Sequence, residues 1–153
     1  MTIRNIDGGD MPAFKKLFCD YFSELDCEDD PLPLFDDCVA TDLKAGLLSV
    51  GVAEDGGKIC AFVIFQLDDV INDWCFAEGK GDIREIFVSA NERRKGIGRA
   101  LMRFAENALK KEGASEVYLL PSDESEAFFT SCGYGDMGEY CAELDSKVFG
   151  KNL

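Results

Sequence analysis

The stretch Asp82-Ile83-Arg84-Glu85-Ile86-Phe87-Val88-Ser89-Ala90-Asn91-Glu92-Arg93-Arg94-Lys95-Gly96-Ile97-Gly98-Arg99-Ala100-Leu101 changes its apolar period halfway along. Ile83, Ile86, Phe87 and Val88 occupy both faces of a short run, as in an interior strand covered on two sides. Farther on, Ile97, Leu101, Phe104, Ala105, Ala108 and Leu109 recur at spacings of three and four. Arg99, Arg103, Glu106, Lys110 and Lys111 stand between them, which is the pattern of an amphipathic helix, and Gly113 supplies its stop. The spacing therefore predicts a strand, a basic glycine loop and a long helix.

The loop has the physical form of an anion site. Gly96 and Gly98 let the backbone come close to a ligand, and the free N–H groups of the first helical turn point outward with the positive end of the helix dipole. Arg93, Arg94, Lys95 and Arg99 add full charges, so phosphate is the expected ligand. Two common phosphate loops do not fit. No Lys-Ser or Lys-Thr follows a GxxxxG, and Leu101 stands where a GxGxxG loop needs its third glycine. Arg-x-x-Gly-x-Gly remains, carried by Arg93, Gly96 and Gly98.

At these residues the sequence resembles the GNAT superfamily of acyl-CoA-dependent N-acetyltransferases, whose signature Gln/Arg-x-x-Gly-x-Gly/Ala joins a central strand to a helix. The resemblance implies that the loop, from Arg93, Arg94 and Lys95 through Gly96, Ile97, Gly98 and Arg99, holds the pyrophosphate of acetyl-CoA as co-substrate. It also implies the fold class, α+β (mixed α/β): a mixed, mostly antiparallel twisted sheet of six to seven strands, helices on both faces, splayed between the fourth and fifth strands.

The rest of the chain narrows the chemistry. Its 153 residues fit one domain, 1–153, with room for a sizeable core. No apolar run suits a signal peptide or a membrane span, so a soluble cytoplasmic protein is expected. Seven cysteines without a Cys-x-x-Cys pair argue against a disulfide framework or a cysteine-rich zinc site; most are expected to be reduced and buried. Histidine is absent, which removes Ser-His-Asp and Cys-His catalysis and the usual zinc hydrolase centres, and no metal is expected. A net charge of −14 speaks against nucleic acid as a partner, and the basic loop is a local exception.

In chain order, Thr2–Ile6 reads as a strand, and Asp10 as the N-cap of a helix carrying Phe14, Leu17, Phe18 and Tyr21. From Asp20 to Asp37 there are eight acidic residues and no basic one, and a second helix is predicted from about Phe35 to Gly46. Leu47–Ala53 and Ile59–Leu67 form a hairpin around Gly56-Gly57. Asp68–Gly81 is a polar connection; Trp74 and Phe76 within it either cap the acceptor pocket or anchor their own loop. Glu116–Leu120 is a fifth strand, Ser125–Cys132 a short helix, and Glu139–Leu144 a last strand. That strand and the tail from Lys147 to Leu153 offer an edge through which two copies could pair as a homodimer.

A second family motif, Asn-x-x-Ala-x-x-Phe-Tyr-x-x-x-Gly-Phe, falls on Ser122, Ser125, Phe128, Phe129, Gly133 and Tyr134. Ser122 and Phe129 are thereby implied in CoA binding, Phe129 against the pantetheine arm. Phe129 stands where many members have the tyrosine that protonates the leaving thiolate, and it has no hydroxyl. Tyr118, Tyr134 and Tyr140 are the candidates to replace it. The resemblance further implies direct attack without an acyl-enzyme, with backbone groups around Phe87 and Val88 binding the acetyl group and the Val88 N–H on its oxygen. Glu85 is the candidate base, in a position where burial would raise its pKa. It can equally be half of a structural ion pair with Arg84. Clustered carboxylates attract cations, so the acceptor is expected to be a small cationic amine, the acidic run otherwise serving solubility. The alternatives are a peptide or protein amine and a catalytically silent acyl-CoA-binding module.

Overall fold

The protein's structure, a computed structural model, describes residues 1–72 and 74–153. Seven strands form one sheet in the order β1-β2-β3-β4-β5-β7-β6. They are β1 Thr2–Asn5, β2 Ser49–Asp55, β3 Lys58–Leu67, β4 Gly81–Val88, β5 Glu116–Leu119, β6 Gly135–Cys141 and β7 Ser146–Asn152. Every pairing is antiparallel except β4 with β5, where a helix makes the crossover. The fold is the mixed α/β class expected from the sequence.

The two faces of the sheet are buried by different helices. On one face α1, Met11–Glu24, and the helical segment after it bring Phe14, Leu17, Phe18, Phe35 and Val39 against Val50, Val52, Phe62, Ile64 and Phe87. Each such side chain contributes about 1.5–3 kcal/mol by leaving water. On the other face α4, Ile97–Lys111, sets Ile97, Leu101, Met102, Ala105 and Leu109 on Val63, Phe65 and Ile83. The short α5, Glu126–Ser131, adds Phe129 to that layer.

Several boundaries differ from the sequence expectation, each for a local reason. Asp10 does not cap α1, because its carboxylate is held by the Arg4 guanidinium and the Asp7 N–H. The second helical region starts at Pro31, capped by Asp30. It runs as α2 Pro31–Leu34, a π-turn Phe35–Val39 and α3 Ala40–Ala45. Leu144 is not in a strand: residues 142–145 are the turn of a hairpin, with Asp145 at a left-handed φ of 49°. The chain beyond it is β7, which lies between β5 and β6, so the tail offers no free edge to a second copy. All seven cysteines are unpaired, yet only Cys141 is fully buried, and Cys27 and Cys75 are exposed.

Candidate active site

β4 and β5 pair only at Gly81 with Val117 and Asp82 with Tyr118, then part. The widening gap opens into a cleft of about 850 Å³. Tyr21, Leu25 and Leu34 line it on one side, Asp82 to Ile86 on its floor, Leu119 to Asp123 and Phe129 on the other side, with Trp74 and the β6–β7 turn at its rim.

Among the described residues, the upper part of β4 supplies donors without partners. Ser89 donates its N–H to the Cys60 carbonyl across the antiparallel ladder. Alternate residues of such a ladder bond to the same neighbour, so the N–H groups of Ile86 and Val88 point the other way, into the gap that β5 has left. Phe87 has the opposite parity: its backbone faces β3 opposite Phe62, and its ring lies in the core against Tyr21. Of the two expected acetyl-binding residues, Val88 is therefore the one presented to the gap.

The glycine loop abuts the end of this gap. Arg94 and Gly96 both take left-handed backbone, at φ 66° and 81°, which turns successive amides toward the start of α4. Gly98 is small for a packing reason: a Cβ there would sit 3.1 Å from the Phe128 ring and 3.8 Å from Val88. The loop's cations divide by role. Arg93 donates to the Val88 carbonyl at 2.8 Å, pairs with Glu24 and lies over Phe87, so it ties the loop to β4 and α1. Lys95 pairs with Glu92, and Arg99 bonds to Ser131 at the end of α5. Arg94 makes no ion pair or side-chain hydrogen bond among the described residues and is exposed. Open amides, a helix N-terminus and one uncommitted guanidinium fit a pyrophosphate. Ser122 and Phe129 line the cleft beyond, Ser122 bonded to Ser125 and Phe129 packed on Phe128.

On the floor, β4 carries a bulge: Ile64 faces Glu85 while Phe65 faces Ile83, leaving Arg84 as the extra residue. Glu85 thereby faces α1, where its carboxylate accepts a hydrogen bond from the Tyr21 hydroxyl. Burial pushes the Glu85 carboxyl above its ordinary range, opposed by the Tyr21 bond and the Arg84 charge. Arg84 makes no ion pair with Glu85 among the described residues; it donates to Gln66 Oε1 at 3.1 Å. Burial beside Glu85 in turn raises the Tyr21 hydroxyl far above its usual pKa.

The other tyrosines are engaged elsewhere. Tyr118 donates to buried Asp68, Tyr134 to Glu106 of α4 at 2.9 Å, and Tyr140 at the cleft rim to Asp145. Trp74 lines the cleft, whereas Phe76 packs on Tyr118 with ring centroids 5.5 Å apart and anchors the loop. The acidic run contributes Tyr21, Leu25 and Leu34 to the cleft rather than its carboxylates, several of which pair with Lys15, Lys16 and Arg93. The acids that do line it are Asp82, Glu85, Asp123, Glu126 and Asp145, against Arg84 and Lys147.

Two residues escape a sequence reading. Tyr21 sits on an apolar helical stripe, and the only hint is that a buried hydroxyl needs a partner. Asp82 stands near the start of β4, which also carries Arg84 and Glu85, and nothing in its neighbours shows that β5 leaves just there.

The model of the acetyltransferase (GNAT) family matches residues 11–134. The chain belongs to this family. Like the family's members it is an acetyl-CoA-dependent N-acetyltransferase. Solved structures of the same fold include a GNAT acetyltransferase from Staphylococcus aureus Mu50, with a TM-score of 0.78 and 14% identity over 99% of this chain and 98% of that one. An aminoglycoside N-acetyltransferase, AAC(6')-Iy in complex with CoA, has a TM-score of 0.70 and 17% identity, covering 92% and 96%. A ribosomal-protein-alanine N-acetyltransferase from Brucella melitensis has a TM-score of 0.73 and 18% identity, covering 100% of both chains. At these identities the likeness shows the fold and leaves the acceptor open. No curated protein matches the sequence.

Proposed function

We propose that the protein is a cytoplasmic enzyme that transfers acetyl from acetyl-CoA to a primary amine of a small cationic acceptor, by direct attack. The observation that carries this reading is the pairing, on one strand, of the unpartnered Val88 N–H with the Glu85 carboxylate held by Tyr21. Acetyl-CoA supplies an activated thioester whose thiol, with an ordinary pKa of roughly 8.5, leaves readily as thiolate.

The chain's own residues do the rest. The amides from Arg94 to Arg99 and the Arg94 guanidinium hold phosphate, and Phe129 packs against the arm that follows. The Val88 N–H donates to the acetyl oxygen as charge develops on it. Glu85 takes the proton of the entering ammonium, and its raised pKa brings it nearer to the pH at which a base is most effective. Tyr21 fixes the orientation of that carboxylate. With no hydroxyl on Phe129, the thiolate departs unaided and takes up, through water, the second proton that the nitrogen sheds as the tetrahedral intermediate collapses to the amide.

The cleft's excess of carboxylates and the indole of Trp74 favour a cation. The aminoglycoside enzyme named above shares the fold, and its acceptor is a small molecule, which supports the same class here. The test is release of CoA from acetyl-CoA across a panel of monoamines, polyamines, aminoglycosides and basic peptides, with a blank for the protein's own thiols. Amine-dependent release is expected. Saturable acetyl-CoA binding without release for any amine would favour the silent module that the missing hydroxyl of Phe129 suggests.

A further inference from the structure

Asp82 stands at the apex of the gap, in the last pair that β4 makes with β5. It is only 8% exposed and lines the cleft beside Glu85. The donors nearby are directed at a different carboxylate. Asp68 receives Gln66 Nε2 at 2.9 Å, the N–H groups of Phe76 and Ala77 at 3.0 Å each, and the Tyr118 hydroxyl. Tyr118 lies close enough to Asp82 to favour its ionised form, but its proton goes to Asp68. Arg84 is bonded to Gln66 and pairs with neither Asp82 nor Glu85 among the described residues.

Asp82 thus accepts no hydrogen bond of normal geometry among the described residues. No side-chain oxygen or nitrogen there is both sealed from solvent and unpaired, so the unpartnered carboxyl touches the open cleft. A carboxyl nine-tenths buried and lacking donors is costly unless a ligand brings them. An alkylammonium brings three donors and a charge.

The spacing fixes the ligand's shape. Asp82 and Glu85 are three residues apart with one of the steps taken up by the bulge, which at 3.3 Å per residue separates them by roughly 7–10 Å. We propose that Asp82 is a specificity-determining residue, which binds a second ammonium group of the acceptor while the first is deprotonated at Glu85. The preferred acceptor is then a linear diamine or longer polyamine with a few carbons between the nitrogens. This rests on the acetyl-transfer reading and narrows its acceptor. Burial and the nearby Asp68 hold the empty Asp82 carboxyl well above the usual range, and a bound cation reverses that balance.

The experiment compares linear diamines of increasing length with monoamines of matched length, in the parent, Asp82→Asn and Asp82→Glu. It follows both steady-state acetylation and calorimetric binding to the CoA-loaded protein. In the parent, diamines are expected to have a KM about 10- to 100-fold lower than matched monoamines, from one charge-assisted contact. Asp82→Asn should raise the diamine KM by that factor with a much smaller change in kcat, and should lose far less with monoamines. Asp82→Glu should restore part of the preference, at a different chain length. Equal KM for diamines and monoamines in the parent overturns the proposal. So does a fall in kcat for both classes alike in Asp82→Asn, which places Asp82 at the reacting nitrogen. Diamine binding that depends on Asp82 but gives no acetylated product keeps the site and retires the transfer reading. Absence of both binding and turnover with every amine overturns the two together.

Discussion

The two ends of β4 build two kinds of site. The end that meets the glycine loop uses main-chain amides: Val88 and Ile86 face the gap, and the residues from Arg94 to Arg99 begin α4. The end where β5 departs uses side chains, with Glu85, Asp82 and Arg84 from the strand, Tyr21 from α1, and Trp74 from the β3–β4 connection. A main-chain site depends on where glycine is allowed, so it tolerates almost any other sequence. A side-chain site depends on segments that meet only in the folded chain. The first kind suits a donor shared by a whole family, the second an acceptor that varies between members.

The sharpest way to break this division is at Glu85. Glu85→Gln is expected to lower kcat by about 10²–10⁴-fold while CoA affinity on calorimetry stays near the parent's. A loss of CoA affinity instead would mean that the two ends are not separable. Next is Gly96→Val, which forces a β-branched residue to φ 81°. CoA should bind at least about tenfold more weakly at 1–2 kcal/mol of backbone strain, and unchanged affinity would remove the loop from the CoA site.

Tyr21→Phe removes the hydrogen bond that holds the Glu85 pKa down against burial. The Glu85 pKa should therefore rise further, and the acid limb of the kcat/KM profile should move to higher pH with a few-fold lower plateau. A limb that stays in place would show that Tyr21 does not act through Glu85. The smallest effect is on stability. Because the Asp82 carboxyl is raised in the fold, its contribution to stability is complete below the unfolded pKa of about 3.9 and is lost as pH climbs through the higher folded value. Asp82→Asn cannot lose it, so at neutral pH the variant should melt higher, by about 2–4 °C for each kcal/mol regained. The difference should shrink toward pH 4. A lower Tm at neutral pH would mean that Asp82 holds a structural contact.

The same division explains what could be read before folding. The strand, loop and long helix around Gly96 and Gly98 were legible because two apolar periods meet at a glycine pair, and local backbone chemistry decides such a junction. The hairpin at Gly56-Gly57 was legible for the same reason, both glycines taking positive φ. The β6–β7 turn was not, since Glu143-Leu144-Asp145 has neither glycine nor proline and reaches left-handed backbone through Asp145. The tail from Lys147 therefore read as an edge open to a second copy instead of a strand between β5 and β6. The acceptor end was the least legible. The bulge at Arg84 turns Glu85 toward Tyr21, 64 positions away, and no local pattern signals that meeting.

The most direct test is the pH dependence of amine-dependent CoA release in the parent and in Glu85→Gln, each saturated with acetyl-CoA. The parent is predicted to show an acid limb set by the raised Glu85 carboxyl, and the variant to show slow release without that limb. The same acid limb at comparable rates in both proteins would contradict Glu85 as the base.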